Sequence, residues 1–263
     1  QKGDLISGDE SDAVATVYDD ARSTVVDEQL DAGLDRVVEG HLRWDDMLAH
    51  PLAVDDAVET GGIVRYYDNN NFYRDPRVAG ELTPSGDVAE ELAAAADLLG
   101  DRDPPLQATL PGPYSLATLA TDDHHGDSRE FLSAVASFLA GEVESFPNHG
   151  TLFLLDPSLV TAPPDDGLAA AVPDAIDTVA GATDADVVVY TYFGALDEKT
   201  YAHLMDADID ALGLDVVAAD REQTVYNAVE YGVTDDVALG VADGQNTLVE
   251  SPKTLRERAE WFA

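Results

Sequence analysis

His41, Arg43, Trp44, Asp45 and Asp46 stand together directly after the short apolar run RVVEG (36–40). Similar punctuation closes later apolar runs. Pro111-Gly112-Pro113-Tyr114-Ser115 follows PLQATL, Asp156-Pro157 follows TLFLL, and Tyr190-Thr191-Tyr192-Phe193 closes DVVV. Asp215 ends ALGLD, and Asp243-Gly244-Gln245-Asn246 follows DVALGVA. In a β/α barrel the C-terminal ends of the strands carry the ligand-handling side chains. Carboxylates, an arginine and several aromatic rings converging on one rim suit a flat aromatic ligand with amide-like hydrogen-bonding groups. The rings stack, and the carboxylates accept N–H bonds, as a pterin-like ring requires. Each residue also has a plainer role. Asp-Gly and Pro-Gly pairs make ordinary turns, Asp156 before Pro157 shapes a loop, and Tyr190 and Tyr192 alternate as packing side chains would.

The stretch GGIVRYYDNNNFYRDP (61–76) is dense in aromatics and asparagines, with Asn70 and Tyr73 as ligand candidates. In so acidic a chain, Arg65 and Arg74 in one loop suggest a receptor for an anionic group. The alternative is a hairpin over the barrel mouth that packs with its own aromatics. His124-His125 in an Asp-rich loop could offer a metal two imidazoles, but adjacent histidines there are more often solvated. G-x-S-x-G, P-loop and H-E-x-x-H patterns are absent.

Alternating strand and helix patterns must position these residues. Val14, Val17, Tyr18, Ala21, Val25 and Leu30 recur at helical spacing over 9–32, with a Ser7/Glu10 capping box and Gly33 as the stop. Asp87 with Glu90 begins a second helix that ends at Gly100. Further helices are predicted over 127–146, 166–181, 197–206, 221–231 and from about 252. Strand runs lie at 36–40, 105–110, 151–155, 186–192, 211–217 and 236–241. This order predicts a single α/β domain over residues 1–263: a (β/α)8 TIM barrel with an excursion at about 61–84 over its mouth. Six strands are too few for closure, so the barrel is expected to be incomplete at both ends, the chain opening on Gln1 and closing on WFA. An open doubly wound sheet would also use six strands, but no glycine-rich dinucleotide fingerprint follows any of them.

The chain has 263 residues, 53 acidic against 14 basic, for a net charge of −39, and no cysteine. Without a basic patch, nucleic acid and anionic membrane surfaces are excluded as charge-held partners. Dispersed acids of this density read as adaptation to a salt-rich cytosol, because the Debye length is only about 3 Å at 1 M salt. No signal-peptide pattern or apolar run of ~18–20 residues occurs, so a cytoplasmic protein is expected. Zero cysteines exclude disulfides and thiolate metal sites.

The runs VVEGHLRWDDMLAHPL, RYYDNNNFYRDP, LPGPYSL, LLDPSL, YTYFG, LGLDVV and LGVADGQNTLVE, in this order, resemble the cobalamin-independent methionine synthase family. The similarity covers most of the chain from about residue 36 and points to the zinc-free N-terminal barrel. LPGPYSL also occurs in short archaeal members. The superfamily includes uroporphyrinogen decarboxylase, whose chemistry would call for a cluster of arginines. The resemblance implies methyl transfer from a methyltetrahydropterin to homocysteine. In the family's catalytic barrel a His-x-Cys pair on one strand helps to hold zinc; the corresponding positions here are Tyr190 and Tyr192. An Asp-Glu-Pro segment there contacts the amino acid, and here reads Leu155-Asp156-Pro157.

No cofactor is therefore expected on this chain, and zinc is expected only on a paralogous partner. The methyl-pterin donor is expected at His41, Arg43, Trp44, Asp46, Arg65, Asn70, Tyr73, Tyr190, Tyr192, Asp215, Asp243 and Asn246. Trp44 and Tyr73 would stack on it, and Asp46 and Asp215 would accept its hydrogen bonds. The catalytic residues are not assigned. A non-catalytic barrel that stabilises the partner is the alternative.

Overall fold

A computed structural model describes residues 12–44, 46–65, 67, 72–102 and 105–262. The expected Ser7/Glu10 cap, Asp45 and Asn70 lie outside them.

Five strands form one wholly parallel sheet: β3 (Gln107–Pro111), β5 (Thr151–Leu155), β6 (Asp186–Tyr190), β7 (Ala211–Asp215) and β8 (Asp236–Gly240). Each pairs with the next in chain order, in registers such as Leu110↔Leu154, Leu155↔Tyr190 and Leu214↔Leu239. A doubly wound sheet reverses its strand order about a switch point. This one does not, so that alternative is set aside. The expected strand at 36–40 is reduced to a bridge of Val37 with Leu106 at the β3 edge. Among the described residues no pairing joins that edge to β8. The sheet is thus an arc wound in barrel order, and a closed barrel is not seen.

β5, β7 and the inner part of β6 are buried with scarcely a break (BBiBB, BBBBB, eBBBi), as parallel strands covered on both faces must be. The covering helices keep the predicted stripes. In α5 (Ser128–Val143) Phe131, Val135, Phe138 and Leu139 face inward, and Asp127 caps the helix through the Arg129 and Glu130 N–H groups. α8 (Val172–Ala180) packs on α5, α9 (Glu198–Leu204) on α8, and α10 (Arg221–Tyr231) on α9. The helix expected over 166–181 is split into α7 (Asp166–Ala169) and α8. Pro173 falls in the first turn of α8, where its missing N–H costs least, and that position restarts the helix. α11 (Pro252–Phe262) closes the described chain.

The N-terminal helix α1 (Asp12–Asp31) ends at Gly33, whose φ of +72° suits a glycine. Its buried positions are Arg22 and Val26, while Val17, predicted inward, is exposed. An ion pair with α3 (Asp87–Leu99) rotates the inward stripe. α2 (His50–Ala53), α4 (Pro113–Leu119) and α6 (Ser158–Thr161) are short helices that periodicity cannot reveal.

The aromatic-rich excursion is an antiparallel hairpin, β1 (Val58–Arg65) with β2 (Phe72–Val78), and β2 adds the short parallel strand β4 (Thr121–Asp122). It begins earlier than the expected residue 61, and its strands end at Val78. Arg65 pairs with Phe72 and Ile63 with Arg74, so these four share the outer face. Tyr73 lies on the other face and is buried. No described helix is long and apolar enough to cross a membrane.

Candidate functional site

The C-terminal ends of the parallel strands share one side of the sheet, and a row of aromatic rings occupies it. Tyr190, the last residue of β6, lies 5.6 Å from Tyr192, their planes 28° apart. Tyr192 meets Phe193 edge-on at 4.6 Å, and Phe193 lies 5.4 Å from Tyr67 of the hairpin. Tyr67, Tyr190, Tyr192 and Phe193 are half-buried, so ring surface still reaches solvent. Tyr190 can lie flat because glycines stand beneath it. A Cβ at Gly213 would run into its ring edge and Cα, and one at Gly240 into its hydroxyl. Burial pushes the Tyr190 phenol up to about 12 and raises Tyr192 and Tyr67 further, with Asp156 and Asp46 adding to the rise at Tyr192. These tyrosines stay neutral at physiological pH: they offer rings and O–H groups, not phenolates.

Among the described residues three other than glycine have a left-handed backbone: His41 (φ +50°), Tyr67 (φ +55°) and Phe193 (φ +73°). All three are aromatic. Each follows a strand end or turns the hairpin, and each such conformation costs on the order of 1 kcal/mol. Strain held at three rings near the strand ends is the backbone signature of a shaped site.

The carboxylates have a different job from the one expected. Asp215 Oδ1 accepts the Val217 and Ala218 N–H groups at 2.8 and 3.1 Å, and its Oδ2 accepts that of Phe193 at 3.0 Å. Asp46 Oδ1 accepts Leu48 and Ala49 N–H at 2.9 and 2.8 Å. Both are therefore built into the loops, and these N–H bonds use part of the acceptor capacity they were expected to offer a ligand. Asp156 is wholly buried. Its Oδ1 takes the Ser115 N–H (2.7 Å) and Ser115 Oγ–H (2.5 Å), and its Oδ2 takes the Tyr114 N–H (3.3 Å). Gly112, at the N-cap of α4, has no side chain to do this, so the carboxylate just after β5 caps the helix. Burial lifts Asp156 to about 7 against these hydrogen bonds.

His41, Arg43 and Trp44 gather in a second group. The Trp44 ring stacks with His41 (4.2 Å) and with His50 (5.0 Å), both nearly parallel to it. These two imidazoles cover part of the ring surface on which a ligand was expected to stack. Tyr73 is likewise buried, its hydroxyl donating to Leu119 O at 2.8 Å, and serves as packing under the hairpin. Arg43 Nε lies 3.1 Å from Glu91 Oε1 and its guanidinium sits 5.2 Å over the Tyr18 ring. Glu91 Oε2 is 2.5 Å from Arg22 Nη2. His50 Nε2 is 2.8 Å from Asp87 Oδ2.

Glu39, which the strand-end reading passed over, accepts the His41 N–H at 2.5 Å and lies 3.2 Å from its Nε2. Burial raises Glu39 to about 7, helped by the charge of Glu91, and lowers His41 to about 4. The sign for stability follows. A carboxyl near 4.5 in the unfolded chain and about 7 in the fold stabilises below the first value, and that stability is lost as pH rises through the second. Glu39→Gln is expected to remove a fall of roughly 2–3 kcal/mol across this window. Urea midpoints of variant and parent across the range measure the difference, which isolates Glu39 from Asp156 and His41. Parallel curves would refute it.

The remaining candidates stand apart. Asp243 Oδ1 accepts Gln245 N–H and Asn246 Oδ1 accepts Leu248 N–H, both turn bonds at 3.0 Å. They follow β8, at the edge of the sheet opposite the Val37 bridge. Arg65 and Arg74 share the exposed outer face of the hairpin, a geometry that could receive an anion. His125 Nδ1 lies 3.0 Å from Asp122 Oδ1, which also accepts the His124 and His125 N–H groups. Among the described residues no three His, Cys, Asp or Glu side chains come together as a metal site.

Over residues 53–259 the sequence matches the family model of the cobalamin-independent synthase N-terminal domain. It is 29% identical over 200 residues to a 5-methyltetrahydropteroyltriglutamate–homocysteine methyltransferase of Salinibacter ruber, covering 73% of this chain but only 25% of that protein. A methionine synthase of Sulfolobus acidocaldarius is 23% identical over 254 residues, covering 93% of this chain and 71% of that one. The fold matches a B12-independent methionine synthase from a Shewanella species, solved with selenomethionine, at a TM-score of 0.81 and 15% identity. That match covers 96% of this chain and 78% of the other. A putative B12-independent methionine synthase of Listeria monocytogenes gives a TM-score of 0.74 at 17% identity, covering 98% and 80%.

Proposed function

Starting from the fact that this chain belongs to the cobalamin-independent methionine synthase family, on its N-terminal-domain side, we propose that it is a donor-binding component of methyl transfer from a methyltetrahydropterin to homocysteine. The observation that carries this reading is the half-buried row Tyr190–Tyr192–Phe193–Tyr67 at the strand ends, shaped by two left-handed residues. A pterin is a flat ring with amide-like edges. Rings and neutral phenol O–H groups are suitable partners for it, and need no ionised ligand.

The family's zinc thiolate chemistry has no fit here. The chain lacks cysteine, and the strand-end positions in question hold Tyr190 and Tyr192, whose buried phenols keep their protons and are poor ligands. The chain's part is to bind the donor, orient it on the tyrosine row and keep water from it, and a zinc-bearing paralogue would supply homocysteine activation. Arg65 and Arg74 on the outer face of the hairpin would meet an anionic tail, and a net charge of −39 disfavours a long one.

Calorimetric titration with methyltetrahydropterin tests this. Tyr192→Ala is expected to weaken binding about tenfold or more, from a stacking loss of about 1–3 kcal/mol, while Tyr192→Phe stays near the parent. Equal binding by the parent and Tyr192→Ala would sink the site. One observation favours a second reading, a scaffold that only stabilises the partner: Asp46, Asp156 and Asp215 are all engaged in holding backbone. The two diverge in the complex. A scaffold would tolerate Tyr192→Ala, whereas a donor-binding half would lose turnover and keep association. A decarboxylase-like role is disfavoured, since the candidate arginines lie on the hairpin face and in an ion pair.

A further inference from the structure

Behind the aromatic row runs a buried chain of hydroxyls that the binding role does not use. Ser115 Oγ donates to Asp156 Oδ1 at 2.5 Å and accepts the Ser158 N–H at 2.9 Å. Ser158 Oγ lies 2.9 Å from the Tyr67 hydroxyl, which also has the Ser115 hydroxyl as a partner. Ser115 and Ser158 are buried, Asp156 is wholly so, and Tyr67 is the half-buried end of the chain, its ring against Phe193. The path therefore leads from an enclosed carboxyl to the surface on which the donor would lie.

We infer that Asp156 is a positioning residue for the rim: through Ser115 it sets the direction in which the Tyr67 hydroxyl presents its proton, and so whether Tyr67 donates inward or to a ring lying on Tyr192. This rests on the reading of the rim as a pterin site. The logic is one of donors and acceptors. An ionised Asp156 can only accept, so the Ser115 proton points to it and the serine oxygens are left as acceptors for the Tyr67 O–H. A protonated Asp156 donates to Ser115 Oγ instead. The Ser115 proton then turns outward to the Tyr67 oxygen, which becomes an acceptor, and the Tyr67 proton is left for Ser158 Oγ or for an acceptor at the mouth. Hydroxyl protons exchange partners, and no covalent bond to carbon changes.

The surroundings suit such a reversal. The titratable groups facing Asp156 are Tyr67 from the hairpin, Tyr114 from α4 and Tyr192 beyond β6, all neutral phenols that feel its charge. Opposing the proton are the Ser115 and Tyr114 N–H groups, and favouring it is complete burial, with the balance falling at about 7. Tyr114 is otherwise engaged, its hydroxyl donating to Ala162 O at 2.6 Å. The left-handed backbone at Tyr67 holds its ring at this junction.

Two readouts keep this distinct from the donor-binding reading. The first uses the ligand-free protein with isotope-labelled tyrosine. The Tyr67 Cζ resonance is expected to shift in one step near neutral pH, because its hydrogen-bond role changes there. Ser115→Ala, which cuts the path while leaving Asp156 in place, should abolish the step, and so should Asp156→Asn. If Asp156→Asn does not fold, Ser115→Ala decides alone. A step that survives Ser115→Ala, or none in the parent, overturns the inference. The second readout is the pH profile of methyltetrahydropterin binding. The parent should bind more tightly on the acid side of about pH 7, Tyr67→Phe about tenfold more weakly there, and Ser115→Ala with a flat profile. A parent that binds no pterin while its Tyr67 resonance still steps with pH rejects the binding reading and leaves the relay standing. Binding in Tyr67→Phe that follows the parent in strength and profile rejects the relay.

Discussion

Gly112→Ala is expected to destabilise the fold by about 3–5 kcal/mol, more than its single added methyl would suggest. The backbone there (φ −67°, ψ 150°) accepts any residue, so the cost is not conformational. A Cβ at Gly112 would overlap the Oδ2, Cγ and Cβ atoms of Asp156. That carboxyl has nowhere to go: it is wholly buried, and three donors from Tyr114 and Ser115 fix its position. Moving it breaks hydrogen bonds to a charged group, worth about 1.5–3 kcal/mol each, and uncaps α4. Urea unfolding of Gly112→Ala, Asp156→Ala and the double variant tests the cause. If the clash is with Asp156, the double variant should be no less stable than Asp156→Ala alone, a strongly non-additive result. Additive losses, or a Gly112→Ala loss below about 0.5 kcal/mol, would refute the steric account.

The same site marks the boundary of what the sequence could reveal. Periodicity and end signals located α5, α9, α10 and α11 within a few residues, because their apolar stripes and caps such as Asp127 and Asp197 are local. The apolar runs ending in Leu155, Tyr190 and Asp215 likewise declared parallel strands buried on both faces. The cap of α4 was illegible: its donors are at 114 and 115 and its acceptor at 156, a pairing that no local pattern encodes. The strand at 36–40 failed for a related reason. An apolar run becomes a strand only where a neighbour pairs with it along its length, and Val37 makes a single bridge.

At the candidate site, residue types were readable and roles were not. Tyr190 and Tyr192 were named from their position, and the rings do line up. Trp44 looked like a platform from its type, and two histidines nine residues apart in sequence, His41 and His50, already stack with its ring. Asp46 and Asp215 looked like ligand acceptors, but a carboxylate just after a strand is also the nearest acceptor for the N–H groups of its own loop. Glu39 belongs to the run RVVEG, where nothing local signals that its carboxyl is buried. The charges that act on it, Glu91 of α3 and Arg22 of α1, lie elsewhere in the chain.

The largest electrostatic effect is expected from Glu91. Its two oxygens hold Arg22 at 2.5 Å and Arg43 at 3.1 Å, joining α1 and the 41–46 turn to α3. Arg22 is only 3% exposed, and its Nε has no hydrogen-bond partner, so it depends on Glu91 and the outlying Asp19 for compensation. Glu91→Ala should therefore cost about 3–5 kcal/mol, the usual penalty for leaving a buried charge without its counter-ion. High salt should restore little of it, because screening ions cannot enter. Replacing both partners, Arg22→Met with Glu91→Leu, should recover most of the loss, since an apolar pair of similar volume avoids desolvation altogether. A second consequence separates this from simple loss of packing. The charge of Glu91 helps to hold Glu39 up near 7, so in Glu91→Ala the Glu39 carboxyl should titrate at lower pH, as its carboxyl carbon resonance would report. Stability unchanged within about 1 kcal/mol, together with an unmoved Glu39, would show that Arg22 finds other compensation and that Glu91 does not tie the 41–46 turn to the core.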